Sequence, residues 1–482
     1  MKPNIVVILA DDIGYGDFGC YNPQSRIPTP HIDALAARGI AFTDAHSSSA
    51  VCTPSRYGLL TGRYCWRSPL KRSVFYGYEP PLIEATRPTL ASVLRSGGYR
   101  TGCVGKWHLG LGYSSREGES IDFIRPFPWP EADRNFEEKI DFRAPIGGGP
   151  LSLGFDSFFG TSGCSTCQPP YGFIEGNRFT EPPSVYLEDF PYTGRPGMAS
   201  PSWDHAGADL AFTRKAVDFI LAGKDAPQPF FLYFAPSAAH EPCVESVVPA
   251  FARGKSAAGP RGDLVWLFDW MVGQVTDALK RSGRLEDTAI IVTSDNGALP
   301  GDRVATAGGG ERYNLWNHRS CGELRGYKSH IWEGGHRIPL VVSWPGRVEP
   351  GSNCSESVAL HDLLATAASM ASVPVPAGAA EDSLDLSPLL GGQTGSRSTV
   401  RSLVHHSGTG VFSLRSGDWK LVCETQGSGG WPPPAGSGPV PGSPGQLYRL
   451  DKDPGEVENL FDREPRVVRE LSETLEAIKW SG

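Results

Sequence analysis

The sequence predicts an α/β fold, in which a large and mostly parallel sheet lies between helices, followed by a small C-terminal α+β domain with an antiparallel sheet. Near-continuous apolar runs of strand length alternate with segments whose apolar residues repeat at helical spacing. Glycine and proline contribute 58 and 42 of the 482 residues, which predicts many loops around a compact core. The alternation ends near residue 375.

Four apolar runs are predicted to be buried strands, because a parallel strand covered on both faces carries few polar residues. They are Asn4 to Leu9, Pro229 to Phe234, Ala289 to Thr293 and Leu340 to Trp344. Other segments carry apolar residues at i, i+3 and i+4 and are predicted to be amphipathic helices. These are His31 to Arg38, Thr89 to Ser96, Asp209 to Leu221, Leu264 to Arg281 and Leu360 to Ala371. Such an alternation indicates a doubly wound sheet, whose ligands bind beyond the carboxyl ends of the strands.

The pattern after residue 375 is different. Val411 to Leu414 and Trp419 to Cys423 are predicted to be antiparallel strands, and Glu464 to Lys479 is predicted to be an amphipathic helix. We therefore expect one domain over residues 1–375 and a C-terminal α+β subdomain over residues 376–482.

The composition excludes several classes of function. The chain has 45 Lys and Arg against 53 Asp and Glu, a net charge of −8, and it contains no basic run, which argues against a nucleic-acid partner. No apolar stretch reaches the roughly 18 residues of a transmembrane helix. A hydrophobic fraction of 39% is ordinary for a globular protein and excludes a mainly disordered chain.

The cysteines and the N-terminus are less informative. The apolar run from Ile5 to Ala10 is too short for a signal peptide and is followed by two aspartates, so we interpret it as a strand. The ten cysteines are scattered. Cys164 and Cys167 form a single CxxC, and because a zinc site needs four ligands we favour a loop disulfide or free thiols there. His405 and His406 match no motif and are predicted to be exposed or core residues.

Two polar segments follow predicted strands and would share one rim of the sheet if those strands are central and parallel. Asp11 and Asp12 come directly after the first strand, and Asp295 and Asn296 follow the strand that ends at Thr293. Adjacent carboxylates repel each other unless a cation lies between them, and Ca²⁺ and Mg²⁺ take oxygen ligands. Each segment alone would also suit a solvated turn. Together they predict a site for one divalent cation.

Cys52 begins another segment, Cys-Thr-Pro-Ser-Arg. Pro54 suits the first turn of a helix, which places Cys52 near a helix N-terminus, where backbone amides favour an anion. Arg56, about one turn further along, would reach back toward Cys52. For an isolated cysteine, the simpler interpretation is a buried residue before an ordinary helix.

The whole stretch resembles the signature of the type I sulfatases, in which Cys-x-Pro-Ser-Arg is followed by Leu-Thr-Gly-Arg, here residues 60–63. The segment Gly-Lys-Trp-His-Leu-Gly at 105–110 is similar to the second signature of that family. The resemblance extends to His-Glu-Pro at 240–242, Ser-Asp-Asn-Gly at 294–297, residues 325–339 and residues 447–460. It implies the alkaline-phosphatase-like fold, with the sulfatase catalytic domain in residues 1–375.

The resemblance implies a role for each residue that matches a motif. The implied ligands of one divalent cation, Ca²⁺ in preference to Mg²⁺, are Asp11, Asp12, Asp295, Asn296 and modified Cys52. The implied sulfate-binding and catalytic groups are Arg56, Lys106, His108, His240 and Lys328. Among these, His240 is our choice for the general acid, with His108 as the alternative. His336 and Arg337 would contact the substrate or support the groups that do.

In this family a maturing enzyme, a transient partner, oxidises the motif cysteine to formylglycine (3-oxoalanine). The hydrated aldehyde has two hydroxyls on one carbon. One attacks sulfur to form a covalent sulfo-enzyme, and loss of a proton from the other expels sulfate. The metal and the fixed cations stabilise the charge that develops on the leaving oxygen.

The substrate is expected to be a sulfated saccharide. Residues 154–159 and 240–262 look similar to bacterial sulfatases grouped with N-acetylgalactosamine-6-sulfatases, which suggests a 6-sulfated galactose or N-acetylgalactosamine. Fucoidan, carrageenan and other glycosaminoglycans are alternatives. Loops at 111–150 and 160–203 are expected to build the pocket. Aromatic residues that would stack on sugars there are Trp129, Phe159, Tyr171 and Trp203.

Two other functions stay open at this stage. A phosphonate or phosphate ester hydrolase of the same superfamily is one, although Asn296 in place of the histidine found in two-metal relatives favours a single metal. A non-catalytic glycan-binding relative is the other. We expect export to the periplasm or the cell exterior, with the leader absent from this sequence, and a cytoplasmic location stays open.

Overall fold

The computed structural model describes residues 2–119, 134–188, 195–299, 304–305, 311–312, 316–393, 401–423, 427–430 and 444–481. Trp129 and the loop segments 120–133 and 189–194 lie outside the described residues.

The strands, in chain order, are β1 (Asn4–Ala10), β2 (Ile40–Phe42), β3 (Ala45–His46), β4 (Arg100–Lys106), β5 (Ser157–Thr161), β6 (Ile174–Glu175), β7 (Arg178–Phe179), β8 (Val185–Leu187), β9 (Gly197–Ala199), β10 (Phe230–Ala235), β11 (Thr288–Ser294), β12 (Val304–Ala305), β13 (Glu311–Arg312), β14 (Leu340–Ser343), β15 (Ser352–Cys354), β16 (Val358–Ala359), β17 (Ser402–His406), β18 (Phe412–Ser416), β19 (Trp419–Val422) and β20 (Gln446–Arg449). The α-helices are α1 (Pro30–Ala37), α2 (Cys52–Thr61), α3 (Leu90–Ser96), α4 (Arg134–Glu138), α5 (Gly149–Ser152), α6 (Ala208–Ala222), α7 (Gly259–Arg281), α8 (Glu333–His336), α9 (Leu363–Met370), α10 (Ser387–Leu390) and α11 (Pro465–Trp480).

Within the described residues, ten strands form one sheet in the order β15-β2-β14-β11-β1-β10-β4-β5-β6-β7. The strands from β11 through β1, β10 and β4 to β5 are parallel to their neighbours. The predicted fold class, a large and mostly parallel sheet between helices, is confirmed. The parallel direction predicted for Leu340 to Trp344 is wrong, because β14 is antiparallel to both β11 and β2. Its apolar composition reflects burial on both faces, which does not determine direction.

The sheet separates two apolar cores. In β1, Ile5, Val7 and Leu9 pack on one face and Val6 and Ile8 pack on the other, and all five are buried. The first face is covered by α2, α3 and α9, and the second by α1, α6 and α7. Each buried side chain of this size contributes about 1.5–3 kcal/mol to stability. The helices that cover both faces leave the ends of the strands to form the binding site.

The predicted helices are present, with shifted ends. The largest difference is at α7, which begins at Gly259, before the apolar residues on which the prediction rested. The segment predicted from Leu360 starts with a 3₁₀ turn before α9. In the described part of the chain, none of the helices combines the length and the apolar character that crossing a bilayer requires.

The C-terminal part has a second sheet, which is four-stranded and antiparallel in the order β17-β18-β19-β20. Leu471 and Leu475 of α11 pack on it against Leu414, Leu421 and Leu447. This confirms the predicted small antiparallel sheet, although β17 and β20 were not predicted. The domain boundary near residue 375 stays a prediction.

Buried charges join this small sheet to the large one. Lys420 Nζ of β19 lies 3.0 Å from Glu333 Oε1 of α8, 2.9 Å from Glu456 Oε1 and 3.0 Å from His336 Nε2. Arg415 of β18 pairs with Asp44 at 3.2 Å. Since the Lys420 and Glu333 side chains are fully buried, neither has water available as an alternative partner.

Candidate active site

Three carboxylates and one amide meet at the rim formed by β1 and β11. The two strands are parallel neighbours, with Ala10 opposite Ser294, so the residues that follow them lie side by side. Asn296 Nδ2 donates to Asp12 Oδ1 at 2.7 Å, and the backbone amide of Asp12 donates to Asp295 Oδ1 at 3.4 Å. The side chains of this cluster have no exposed surface and are those of Asp11, Asp12, Asp295 and Asn296.

The backbone around the cluster is strained at non-glycine residues. Asp12 has a φ of 59°, His108 a φ of 61° and Ser329 a φ of 74°, all in the left-handed region. Hydrogen bonds hold the strand ends in place. One of them runs from Ile13 N to Ser294 Oγ at 3.0 Å. Such conformations concentrate at functional sites, where the surrounding structure maintains them.

Each carboxylate of the cluster contacts its own buried cation. Lys106 Nζ lies 2.6 Å from Asp11 Oδ2, and Lys328 Nζ lies 2.6 Å from Asp12 Oδ2. Arg56 contacts Asp295 Oδ2 at 2.9 Å. These partners are separated by between 95 and 316 positions in the sequence. Three carboxylates therefore balance three cations, and a bound divalent ion would make the site positive and attractive to an anion.

The pKa values of Asp11 and Asp295 are shifted in opposite directions. Burial raises the pKa of Asp11, but Lys106, His240 and Arg56 together lower it well below the ordinary value. For Asp295, burial and repulsion from Asp11 outweigh the attraction of Arg56, and the pKa is raised to about 6. Repulsion between buried carboxylates is what a divalent cation would relieve.

The available donor atoms suit a hard cation. Asn296 Oδ1 is buried and has no hydrogen-bond partner. Asp11, Asp12, Cys52 and His240 each place one potential ligand atom within 4.8 Å of the others. Carboxylate and amide oxygens are the ligands that Ca²⁺ and Mg²⁺ prefer. The residues therefore fit the divalent ion that the sequence predicted.

Cys52 is the first residue of α2, as the sequence predicted, and only 1% of it is exposed. Its Sγ lies 3.5 Å from Asp11 Oδ1. Burial and the nearby Asp295 carboxylate raise the pKa of the thiol. An unmodified Cys52 would therefore be a poor thiolate nucleophile. The helix ends at Gly62, whose φ of 65° is left-handed and suits glycine.

Arg56 lies one turn into α2 and reaches the cluster. Its Nη1 donates to the backbone oxygen of Lys106 at 3.0 Å, and its Nη2 lies 3.7 Å from Asp11 Oδ2. Gly105, at the end of β4, has a φ of 113°, and a Cβ there would lie 2.1 Å from the oxygen of Ala235. The glycine before Lys106 is thus required by close backbone approach.

His240 connects the cluster to a backbone carbonyl. Its Nδ1 donates to Glu241 O at 2.9 Å, and its Nε2 lies 3.0 Å from Lys328 Nζ and 3.7 Å from Asp12 Oδ2. Burial opposes the charged ring, but the charges of Cys164 and Cys167 in their thiolate forms, and that of Asp12, raise the pKa well above its ordinary value. These negative charges favour the protonated ring.

His108 is in the opposite state. Its Nε2 donates to Phe75 O at 2.6 Å, while its buried Nδ1 has no hydrogen-bond partner. Burial, Lys106 and Arg56 lower its pKa well below the ordinary value, so the ring is neutral. Residue types alone did not separate this histidine from His240.

His336 and Arg337 lie beside the joint between the two sheets. His336 is fully buried, and its Nδ1 lies 3.1 Å from His46 Nδ1. The Arg337 side chain is 19% exposed and donates to Thr43 O at 2.7 Å through Nη2. Any effect of His336 on a substrate would be indirect, whereas Arg337 retains some exposed surface.

Arg261 was not predicted from the sequence. It holds the backbone of Asp12 in place by a hydrogen bond. Its Nη2 donates to the backbone oxygen of Asp12 at 3.0 Å and to Asp17 Oδ2 at 2.6 Å. His318 Nε2 contacts the other oxygen of Asp17 at 2.8 Å. Arg261 is part of no local motif, and only the tertiary structure shows its role.

Comparison with known proteins agrees with this geometry. The sulfatase family model matches residues 3–373. The chain belongs to the sulfatase family. It is 34% identical to N-acetylgalactosamine-6-O-sulfatase of Bacteroides thetaiotaomicron, over 99% of this chain and 93% of that protein. It is also 34% identical to human arylsulfatase A, over 99% of this chain and 86% of that protein.

A solved structure, described as concerning the metabolism of multiple glycosaminoglycans by Bacteroides thetaiotaomicron, has the same fold. It superposes with a TM-score of 0.82 at 32% identity and covers 99% of both chains. Membership of the sulfatase family makes this protein a sulfuric ester hydrolase and implies a metal ion and a formylglycine. The resemblance stated from the motifs is confirmed.

Proposed function

We propose that this sulfatase hydrolyses a sulfate monoester of a sulfated glycan, with 6-sulfated N-acetylgalactosamine or galactose as the preferred sugar. This proposal rests on one observation. Cys52 Sγ lies 3.5 Å from Asp11 Oδ1, within a cluster that has one cation for each carboxylate. Relatives named for N-acetylgalactosamine 6-sulfate support the sugar and the position. They are the Bacteroides thetaiotaomicron protein and a dog sulfatase that is 32% identical.

The carboxylate cluster would hold one calcium ion, with Mg²⁺ as the alternative. The residues that would bind it are Asp11, Asp12, Asp295, Asn296 and the modified side chain at position 52. The unpartnered Oδ1 of Asn296 and the repulsion between Asp11 and Asp295 support this assignment. When bound, the ion withdraws charge from the sulfate and from the residue at position 52.

The three cations orient the reacting groups. Lys106 and Lys328 each use one N–H on a carboxylate, and an ammonium has further N–H groups for the sulfate oxygens. Arg56 positions the start of α2 by its bonds to Asp295 and to the backbone of Lys106. Fixed charges of this kind stabilise negative charge as it develops on the leaving oxygen.

Conversion of Cys52 to hydrated formylglycine supplies an attacking hydroxyl and a second hydroxyl on the same carbon, so that sulfate can leave without water attacking sulfur. His240 provides the proton for the leaving alcohol. Its Nδ1 is held by Glu241 O, so that Nε2 faces Asp12 and Lys328, and its raised pKa keeps the proton available. His108, which is neutral with a free Nδ1, is suited to accept a proton.

Arg337 is the better candidate for substrate contact, because part of its side chain is exposed. His336 supports it from the buried side, through the short helix α8 that precedes Arg337. Aromatic side chains in the loops after β5 would complete a sugar pocket. Those within the described residues are Tyr171 and Trp203, whose ring centres lie 6.3 Å apart, whereas Phe159 is a buried residue of β5 that packs against Phe212.

The maturing enzyme would act on the segment around Cys52 before folding is complete, because the folded chain leaves only 1% of this residue exposed. A sulfated polymeric substrate is met outside the cytoplasm, so periplasmic or secreted location is part of this proposal.

A panel of sulfated sugars tests the function. Purified protein whose Cys52 peptide shows the mass of formylglycine is assayed for free sulfate with 6-sulfated and 4-sulfated galactose and N-acetylgalactosamine. We expect the 6-sulfated sugars to react at least about tenfold faster, a difference of about 1.4 kcal/mol in the barrier. Cys52→Ser, purified in the same way, is the inactive control.

Two results would contradict the proposal. Faster turnover of a phosphate or phosphonate ester than of any sulfate ester would support the other hydrolase of the superfamily. Binding of sulfated glycans without turnover, with formylglycine present at position 52, would support a glycan-binding relative.

A further inference from the structure

A loop with two cysteines packs against the loop that carries His240. Cys164 and Cys167 are buried, with 0% and 5% exposed surface, and both are free thiols. Thr166 Oγ1 donates to Glu241 O at 2.7 Å, which fixes the two loops against each other. The CxxC, isolated in the sequence, therefore has a histidine beside it in the fold.

The three side chains place their ligand atoms in one small volume. The sulfurs of Cys164 and Cys167 and a ring nitrogen of His240 lie within 4.8 Å of one another. Cys167 Sγ lies 3.5 Å from His240 Nδ1, although 73 positions separate the two residues. Sulfur and imidazole are the ligands that soft and borderline cations prefer, unlike the oxygen ligands of the neighbouring carboxylate cluster.

We propose that Cys164, Cys167 and His240 form a second metal site, which takes a thiophilic cation such as Zn²⁺ and inhibits the enzyme. On binding, each thiol releases its proton to solvent, and two sulfur–metal bonds form. The imidazole releases its Nδ1 proton to solvent and binds the metal through Nδ1, as a neutral ring that keeps its other proton on Nε2. Three protein ligands leave the fourth position to water. The two thiolates neutralise the dication, so the bound site is neutral and lacks the positive charge of the protonated ring beside Lys328.

Metal binding at Nδ1 removes what the reaction needs from this histidine. The hydrogen bond from Nδ1 to Glu241 O is lost, and with it the contact that orients the ring. The neutral, metal-bound ring has no excess proton to give to a leaving alkoxide. This effect on turnover rests on the proposed role of His240, whereas metal binding itself does not depend on that role.

Cobalt provides a direct test of binding. The full-length protein is reduced with a non-chelating phosphine, saturated with Ca²⁺ and titrated with Co²⁺. We expect thiolate-to-cobalt charge-transfer absorption that saturates at one equivalent and is displaced by Zn²⁺. Cys167→Ser and Cys164→Ser should each lose this absorption. Cys52→Ser and Cys243→Ser should keep it, which excludes cobalt binding through Cys52, beside Asp11, or through Cys243, three positions after His240.

Circular dichroism shows whether each serine variant is folded. If Cys167→Ser does not fold, Cys167→Ala and alkylation of the wild-type thiols, located by peptide mass, make the same test. Absence of the absorption in the reduced wild type would overturn the proposal. So would unchanged absorption in both serine variants, or a pair that stays a disulfide after reduction.

Activity separates this site from the proposed function. At saturating Zn²⁺ and Ca²⁺ we expect kcat of the wild type to fall at least about tenfold, with recovery when a zinc chelator is added. Cys167→Ser should lose this sensitivity to zinc. Stoichiometric binding with unchanged kcat would support the metal site but overturn the proposed inhibition, and it would contradict the role of His240. Turnover without metal binding would contradict the site alone.

Discussion

Arg56 contacts the carboxylate of Asp295 through both Nε and Nη2, each 2.9 Å from Oδ2, and neither side chain is exposed. The pair joins the helix that begins at Cys52 to the end of β11. The position of Cys52 relative to the carboxylate cluster therefore depends on one guanidinium, whose Nη1 also donates to the backbone oxygen of Lys106.

Arg56→Ala is expected to lower the free energy of unfolding by about 3–5 kcal/mol, because a buried carboxylate loses its partner. Denaturation in urea measures this loss. Arg38→Ala is the matched control, since the Arg38–Glu286 pair is 48% and 71% exposed and should change stability by less than about 1 kcal/mol. Equal losses in the two variants would contradict the importance of burial.

Removal of the divalent ion should destabilise the fold. Chelation is expected to lower Tm, and Ca²⁺ at a hundred times its Kd should restore about 2.7 kcal/mol. Asn296→Ala should need more Ca²⁺ for the same recovery, while Asn353→Ala on β15 should match the wild type. Thermal unfolding against Ca²⁺ concentration makes the measurement. A Tm that changes with neither the chelator nor Ca²⁺ would show that the carboxylates are stabilised by Lys106 and Lys328 alone.

His240→Gln should reduce kcat for a sugar sulfate by about 10²–10⁴, the usual contribution of a general acid. The loss should be much smaller for an aryl sulfate, because a phenolate leaves without protonation. His31→Gln, outside the site, should behave like the wild type with both substrates. The same reduction of kcat for sugar and aryl sulfates would indicate that His240 only positions other groups.

The pair of Asp17 with Arg261 predicts a loss of stability in acid. Although burial raises the pKa of Asp17, Arg261 and His318 lower it from 3.8 to about 2. A carboxyl with a lowered pKa contributes stability that is complete above its unfolded value and is lost as the pH falls through the folded value. At 1.36 kcal/mol per unit the contribution is about 2 kcal/mol, lost between about pH 4 and pH 2.

The Asp17→Asn variant isolates this contribution. Its free energy of unfolding should be lower at neutral pH, because Arg261 loses its partner, but should depend less on pH between about 4 and 2. Asp277→Asn, which alters an exposed pair with Lys280, should keep the wild-type dependence. If the free energy of unfolding of the Asp17 variant falls as steeply with pH as that of the wild type, other carboxylates cause the loss of stability in acid.

Local sequence patterns predicted much of the fold and of the site. Apolar runs located β1 and β11, and because the strands are parallel neighbours the polar residues after them had to meet at one rim. The start of α2 followed from Pro54, which suits a first turn. In each case the signal lies within a few residues, where backbone preference and burial act directly.

Features that depend on distant contacts were not predicted. The antiparallel direction of β14 is set by its neighbours and not by its own apolar residues. The raised pKa of His240 and the lowered pKa of His108 depend on groups brought together by folding. The proximity of Cys167 to His240 is likewise a product of loop packing, which no spacing in the sequence records.

Lys420 links the C-terminal part of the chain to residues that come before position 375. Its ammonium comes from the small sheet, yet its partners Glu333 and His336 lie in α8, within residues 1–375. A shortened protein that ends near residue 375 would keep the buried carboxylate of Glu333 and lose this counterion. The two parts have separate sheets, but the stability of each depends on the ion pair between them. A C-terminal part exchanged into this chain would therefore have to supply a cation at the position of Lys420 to stabilise Glu333.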